Sequence, residues 1–175
     1  LIPAAPRLLG VQLWLNLPAK EKMIPSSYRS IRRENIPEKA FSGGLIRILS
    51  GTYNGISGYQ PAHLSLDYYD IHLDPGTEFR MDTEQERSAM LFTLQGEVSV
   101  GGRRIPEKTA VHLTEGTSLT MKNGSSPACV LFMSSRALRE PVCWGGPIVM
   151  NTQEELNQAF SDLESGSFLK NEVDY

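Results

Sequence analysis

Residues 88–102 read Ser88-Ala89-Met90-Leu91-Phe92-Thr93-Leu94-Gln95-Gly96-Glu97-Val98-Ser99-Val100-Gly101-Gly102. A run rich in apolar side chains ends near Gly96, a second short run follows, and a Gly-Gly pair closes it. The pattern predicts strand, turn, strand, turn. β-Branched and aromatic side chains suit a pleated surface, and glycine supplies the positive φ of tight reversals. Outward from this stretch the rhythm repeats, with strands predicted over 45–49, 62–73, 88–94, 97–100, 110–113, 118–122 and 128–134. The turn signals are Gly43-Gly44, Asn54-Gly55, Asp74-Pro75-Gly76, Gly101-Gly102, Glu115-Gly116 and Asn123-Gly124. Short strands spaced this way, with no helical pattern between them, predict an all-β sandwich or barrel of about eight or more antiparallel strands.

Two flanks complete the chain. Val11, Leu13, Leu15 and Leu17 alternate with other residues, the period of a strand, and the mixed-charge stretch from Pro18 to Pro37 reads as a long surface connection broken at Pro25 and Pro37. At the other end, Thr152 and Glu155 have the spacing of a capping box. Leu156, Ala159, Phe160 and Leu163 then form one apolar stripe, and Gly166 can take the left-handed position that ends a helix. The pattern predicts a helix over about 152–165, packed through its stripe.

Composition narrows the function. The chain has 175 residues, 40% apolar and 21% charged, with 17 basic and 20 acidic side chains and a net charge of −3. That balance argues against nucleic-acid binding, which needs clustered Lys and Arg. No apolar run reaches the 18–20 residues of a membrane helix. Cys129 and Cys143 alone make no disulfide framework, and Arg32-Arg33 and Arg103-Arg104 are isolated pairs rather than a nuclear-targeting cluster. The expected compartment is the cytoplasm.

No catalytic constellation stands out. His63 and His72 fall in one predicted strand, but an odd separation puts them on opposite faces, and His112 has no acidic neighbour at ligand spacing. None of the three is expected to ligate a metal, which would require several donors converging at about 2.0–2.3 Å. The acid-rich segment from Glu78 to Arg87 reads as a solvated loop rather than a general acid–base pair. Gly101-Gly102 lacks the rest of a phosphate loop, and there is no Gly-x-Ser-x-Gly turn.

Two stretches resemble one family. Gly10-Val11-Gln12-Leu13-Trp14-Leu15-Asn16-Leu17-Pro18-Ala19-Lys20-Glu21-Lys22-Met23-Ile24-Pro25, with Tyr28, is similar to the segment joining the two halves of pirin-family proteins. Arg139-Glu140-Pro141-Val142, Gly146-Pro147-Ile148-Val149-Met150-Asn151-Thr152 and Phe160 resemble the family's closing segment and last helix. Leu66-Asp67, Leu73-Asp74-Pro75-Gly76 and Leu94-Gln95-Gly96-Glu97-Val98 agree more loosely. Pirins are bicupins, each half a double-stranded β-helix or jelly-roll barrel. The resemblance therefore implies a linker over 1–10 and a C-terminal cupin domain over 11–175, with the first cupin upstream of Leu1.

In the family, iron lies in the first cupin, held by three histidines and a glutamate, so no ligand or cofactor is expected in this chain. Laying the cupin pattern on this half, anchored at Gly96, puts Ala89 in the glutamate place and Thr83 with Gln85, or Asp82 with Glu84, in the histidine places. Gly116 and Asn123 fit the ends of the second motif, and Leu119 takes its histidine place. The resemblance implies three roles. One is a metal-free cupin supporting the iron-bearing half or binding a regulatory partner, as in transcriptional cofactors of Rel-type factors. Another is one part of an iron-dependent quercetin 2,3-dioxygenase-like enzyme. The third is a metal-free pocket for a small ligand. Ala89, Leu91 and Thr93 share the parity expected to face inward. Met90, Phe92 and Leu94 then face outward and, with Trp14 of the 11–17 segment, form a candidate interface for the first cupin, for a partner or for self-association.

Overall fold

The computed structural model describes residues 9–114 and 116–170. Most of the predicted linker over 1–10 and Glu115 of the predicted Glu115-Gly116 turn therefore lie outside the described residues. After 3-10 turns at Ala19–Glu21 and Arg33–Asn35 come β1 (Glu38–Phe41), β2 (Gly44–Ser50), β3 (Thr52–Tyr53), β4 (Ile56–Ser57) and β5 (Leu66–Leu73). There follow β6 (Glu78–Asp82), β7 (Arg87–Gln95), β8 (Val98–Val100), β9 (Arg103–Ile105), β10 (Ala110–His112), β11 (Ser118–Asn123) and β12 (Ala128–Arg136). The hairpin β13 (Cys143–Gly145) and β14 (Ile148–Met150) leads into α1 (Gln153–Glu164).

A six-stranded sheet runs β1-β2-β5-β12-β7-β10 and a four-stranded sheet runs β6-β11-β8-β9. Their ladders are antiparallel. The inner faces make one core: Ile46, Ile48, Tyr69, Ile71, Leu73, Leu91, Val130 and Phe132 of the larger sheet, with Phe79, Met81, Val98, Leu119 and Met121 of the smaller. This is the sandwich expected from the strand rhythm, since each sheet has one apolar face to bury. Thr93 is fully buried, yet its hydroxyl donates to Pro106 O (2.5 Å) and accepts from Thr109 N (3.1 Å). Asn54-Gly55 and Gly101-Gly102 turn the β3–β4 and β8–β9 hairpins with φ positive at both residues, as a two-residue reversal requires.

Among the described residues the chain divides into two compact units, one of 9–24 with 140–168 and one of 25–139 with 169–170. The second holds the sandwich. In the first, Ile148, Met150, Leu156 and Ala159 form a small core with Cys143 and Phe168 against it. The helix has both halves of its capping box: Glu155 N donates to Thr152 Oγ1 (3.1 Å), and Thr152 N donates to Glu155 Oε2 (3.0 Å). It ends as a Schellman motif, with Gly166 at φ 73°, Gly166 N donating to Leu163 O and Ser167 N to Asp162 O.

Four expectations change. Residues 11–17 form no strand, because alternation makes a strand only where another edge accepts its backbone hydrogen bonds, and Val11, Trp14 and Leu15 stay exposed. The strand expected over 62–73 starts at Leu66, which leaves His63 outside it. The expected solvated loop from Glu78 to Arg87 contains β6, whose Phe79 and Met81 are buried between exposed charges, and its last residue opens β7. Helix aside, the segment after residue 139 contains a further hairpin, β13–β14, and β1, β3, β4 and β9 are likewise strands outside the expected set.

Candidate functional site

The inward parity on β7 holds: Ala89, Leu91 and Thr93 are buried. Met90 is 37% exposed, and Phe92 and Leu94 are half-buried on the other face. Trp14 lies in the other unit and is 60% exposed.

Two adjoining cavities open into the sandwich. One of about 310 Å³ is lined by Ala89 and Leu119 together with Thr83, Glu84, Arg87 and Gly116. The other, about 570 Å³, shares Thr83 and Glu84 and reaches Asp67, Tyr69, Asp82 and Ser134. Of the places assigned from the cupin pattern, Ala89, Leu119, Thr83, Asp82 and Glu84 line this region, whereas the exposed Gln85 lines neither cavity. β7 brings Ala89, β11 brings Leu119, and the turn between β6 and β7 brings Thr83 and Glu84.

Between the two cavities lies a group that the sequence reading left in a loop. Arg87 has the parity of Ala89, two residues earlier on the strand, so its side chain also points inward; parity carried back to the start of β7 is the signal that finds it. Its guanidinium reaches across the sheet, as β7, β12 and β5 lie side by side. Nη2 stands 2.8 Å from Asp67 Oδ2 and donates to Ser134 O (2.8 Å), while Nε donates to Ser134 Oγ (2.9 Å). Glu84 is a looser partner at 3.8 Å. The Arg87 side chain is only 12% exposed, so this is a largely desolvated ion pair in which Nε and Nη2 are both hydrogen-bonded. Beside it, Tyr69 OH donates to Thr52 O (2.7 Å), and burial, reinforced by Asp67, pushes that hydroxyl well above the ordinary tyrosine range.

The described lining residues do not fit the three-histidine, one-carboxylate set of the family's iron. No imidazole lines either cavity, Ala89 and Leu119 offer no donor atom, Asp67 is already paired, and Arg87 puts a fixed positive charge beside the ligand places. The asparagine at the end of the second motif does other work. Asn123 is buried, accepts from Thr77 N (2.8 Å) and donates to Asp74 O (2.8 Å) and Ser126 O (2.9 Å), tying the β5–β6 and β11–β12 turns together.

Of the histidines, His112 Nε2 is 3.3 Å from Ser88 Oγ, whereas His72 stands on the outer face of β5 beside Asp70. Among the described residues no helix is long and apolar enough to cross a membrane.

Residues 68–169 match the model of the pirin C-terminal cupin domain. A Thermoplasma acidophilum protein provisionally named a quercetin 2,3-dioxygenase is 36% identical over 172 residues, covering 93% of this chain and 66% of its own length. Human pirin is 32% identical over 161 residues, covering 89% of this chain and 56% of its own. The crystal structure of a quercetin 2,3-dioxygenase from Acinetobacter baumannii superposes with a TM-score of 0.82 at 30% identity, over 89% of this chain and 55% of that one. The chain therefore spans somewhat over half the length of these relatives. It belongs to the pirin family, with the family's C-terminal cupin domain over residues 68–169.

Proposed function

We propose that this chain is the metal-free half of a two-cupin protein, and that it serves the iron-bearing N-terminal cupin as a scaffold and offers a surface to a regulatory protein partner. The observation that carries the reading is Arg87. A largely desolvated guanidinium held by Asp67 and Ser134 beside Ala89 and Leu119 opposes a divalent cation at the place where a cupin binds one. The half-open row Met90, Phe92 and Leu94 on β7 is the proposed seat for the first cupin or the partner, and Trp14 is a second open apolar group. Two unpaired cysteines are in keeping with a reducing, cytoplasmic setting.

The alternative is that the intact protein is an iron-dependent quercetin 2,3-dioxygenase-like enzyme whose catalytic half precedes Leu1. It is favoured by the name of the Acinetobacter baumannii neighbour. A His-x-His segment followed by Glu and a further His in that half would support it, and in both readings this chain contributes no ligand.

The test is made on the purified chain supplied with ferrous iron. The expected result is no iron retained in the barrel and no loss of the visible absorbance of quercetin in air. Sedimentation should show self-association that Phe92→Glu abolishes, or a monomer that binds a hydrophobic dye. Stoichiometric iron in the sandwich, or flavonol turnover, overturns the metal-free reading. A monomer that binds no dye and is unchanged by Phe92→Glu overturns the proposed seat.

A further inference from the structure

The even-numbered residues of β5 face away from the sandwich core. Asp70 and His72 stand there two residues apart, and Cys129 of β12 is registered directly opposite His72. The Cys129 thiol donates to Asp70 Oδ1 at 3.0 Å, and His72 Nε2 lies 3.0 Å from Asp70 Oδ2. Sulfur, imidazole nitrogen and carboxylate oxygen all fall within 4.8 Å of one another. In a tetrahedral zinc site, bonds of about 2.0–2.3 Å separate the donors by roughly 3.3–3.8 Å, so the three atoms already stand at nearly ligand spacing.

A second observation bears on Cys129 itself. The ladder between β12 and β7 slips between Cys129 and Val130, pairing Cys129 with Gln95 but Val130 with Thr93. The extra residue is Leu94 on β7, so the strand beside Cys129 bulges there. Cys129 is a buried thiol turned toward a carboxylate and an imidazole, while the half-buried Cys143 thiol in the other unit donates to Gln153 Oε1 at 3.3 Å.

We propose that Asp70, His72 and Cys129 form a site for a thiophilic divalent cation of the zinc class. The thiol gives up its proton to solvent as the sulfur–metal bond forms, the imidazole and carboxylate supply two more bonds, and the fourth position is left to water on the side where His72 is 40% exposed. The charges around it are mixed. Arg47 of β2 lies 3.4 Å from Asp70 Oδ2, but it is also held by Glu38 of β1 at 2.8 Å. The site is on the outer face of the larger sheet, apart from the two cavities, and is independent of the barrel's fit to iron.

Cobalt(II) is the probe. Titrated into the full chain with a non-thiol reductant, it should raise a thiolate-to-cobalt charge-transfer band that saturates at one ion per chain and is displaced by zinc. Cys129→Ser should abolish the band, Cys143→Ser should leave it, and His72→Ala, a substitution at a half-exposed position, should weaken binding at least about tenfold. Arg47→Gln removes a competing cation from Asp70 and should tighten cobalt binding. The absence of the band, its survival in Cys129→Ser, or its loss only in Cys143→Ser overturns the proposal and leaves the cluster a hydrogen-bonded network. Because Cys129 is buried, thermal melting of Cys129→Ser is run alongside; should that variant fail to fold, the His72→Ala and Arg47→Gln titrations decide, and unchanged affinity in both overturns the proposal.

Discussion

Asn123→Ala tests how the two turns at one end of the sandwich are held. The side-chain amide has two protons, and they serve Asp74 O at 2.8 Å and Ser126 O at 2.9 Å, with Leu73 O sharing one of them at 3.4 Å. The amide oxygen takes the Thr77 N–H at 2.8 Å. Truncation leaves Thr77 N with only a long turn bond to Asp74 O (3.3 Å) and strips one partner from each carbonyl. At about 1 kcal/mol for each of the three good bonds, the loss is about 3 kcal/mol. With a urea slope of about 2 kcal/mol/M, the midpoint should fall by about 1.5 M, and the melting temperature by about 6–12 °C for a chain of this size. Asn123→Asp is the companion variant: it keeps an acceptor for Thr77 N but turns a carboxylate toward two carbonyls, so it should destabilise at least as much. A midpoint shift below about 0.5 M for Asn123→Ala, or a milder effect of Asp than of Ala, refutes the account.

Thr152→Ala removes one half of the capping box and should cost about 1 kcal/mol, read as earlier loss of helical ellipticity. Gly96→Ala meets two obstacles, a φ of 68° and a Cβ only 2.4 Å from Pro127 O, and should lower stability by more than about 1 kcal/mol in urea unfolding. Arg87→Ala leaves Asp67 in the cavity without its cation and should cost about 3 kcal/mol; adding Asp67→Asn should recover part of that, a coupling that a double-mutant cycle measures.

The sandwich was legible because its signals are local and mutually consistent. Turn residues recur at the spacing of short strands, and the inward parity of Ala89, Leu91 and Thr93 follows from the pleat alone. The capping box and the Schellman glycine were legible for the same reason, since each motif lies within a few residues. What could not be read depends on partners distant in sequence. Val11 to Leu17 alternates like a strand, but pairing is decided by a second edge that alternation does not encode. Arg87 looks like one charge among many until β5 and β12 bring Asp67 and Ser134 to it, from 20 and 47 positions away. Asp70, His72 and Cys129 are likewise assembled only by the register of β5 with β12. Spacing within one strand cannot show that Cys129 of the neighbouring strand stands beside Asp70 and His72.

The two stretches that carry the family resemblance lie at opposite ends of the sequence and fall in one compact unit, where a polar network links them. Glu140 accepts from Ala19 N at 2.7 Å and from Asn151 Nδ2 at 3.4 Å, while Asn151 Nδ2 also donates to Pro141 O at 2.8 Å. Lys22 donates to Asn16 Oδ1 at 2.5 Å; burial pulls its amine below the ordinary lysine range, and the nearby Glu140 and Glu155 oppose that pull. Glu155 in turn takes the backbone N–H groups of both Asn151 and Thr152, so the residue that closes the capping box also fixes the entry to the helix. Loss of the Glu140 carboxylate therefore strands the Ala19 N–H and takes one acceptor from the Asn151 amide, and loss of the Glu155 carboxylate strands the backbone N–H groups of Asn151 and Thr152. The sandwich also leans on specific polar contacts, at Asn123 between two turns and at Arg87 between three strands, but most of its core positions ask only for apolar parity, which several residue types satisfy.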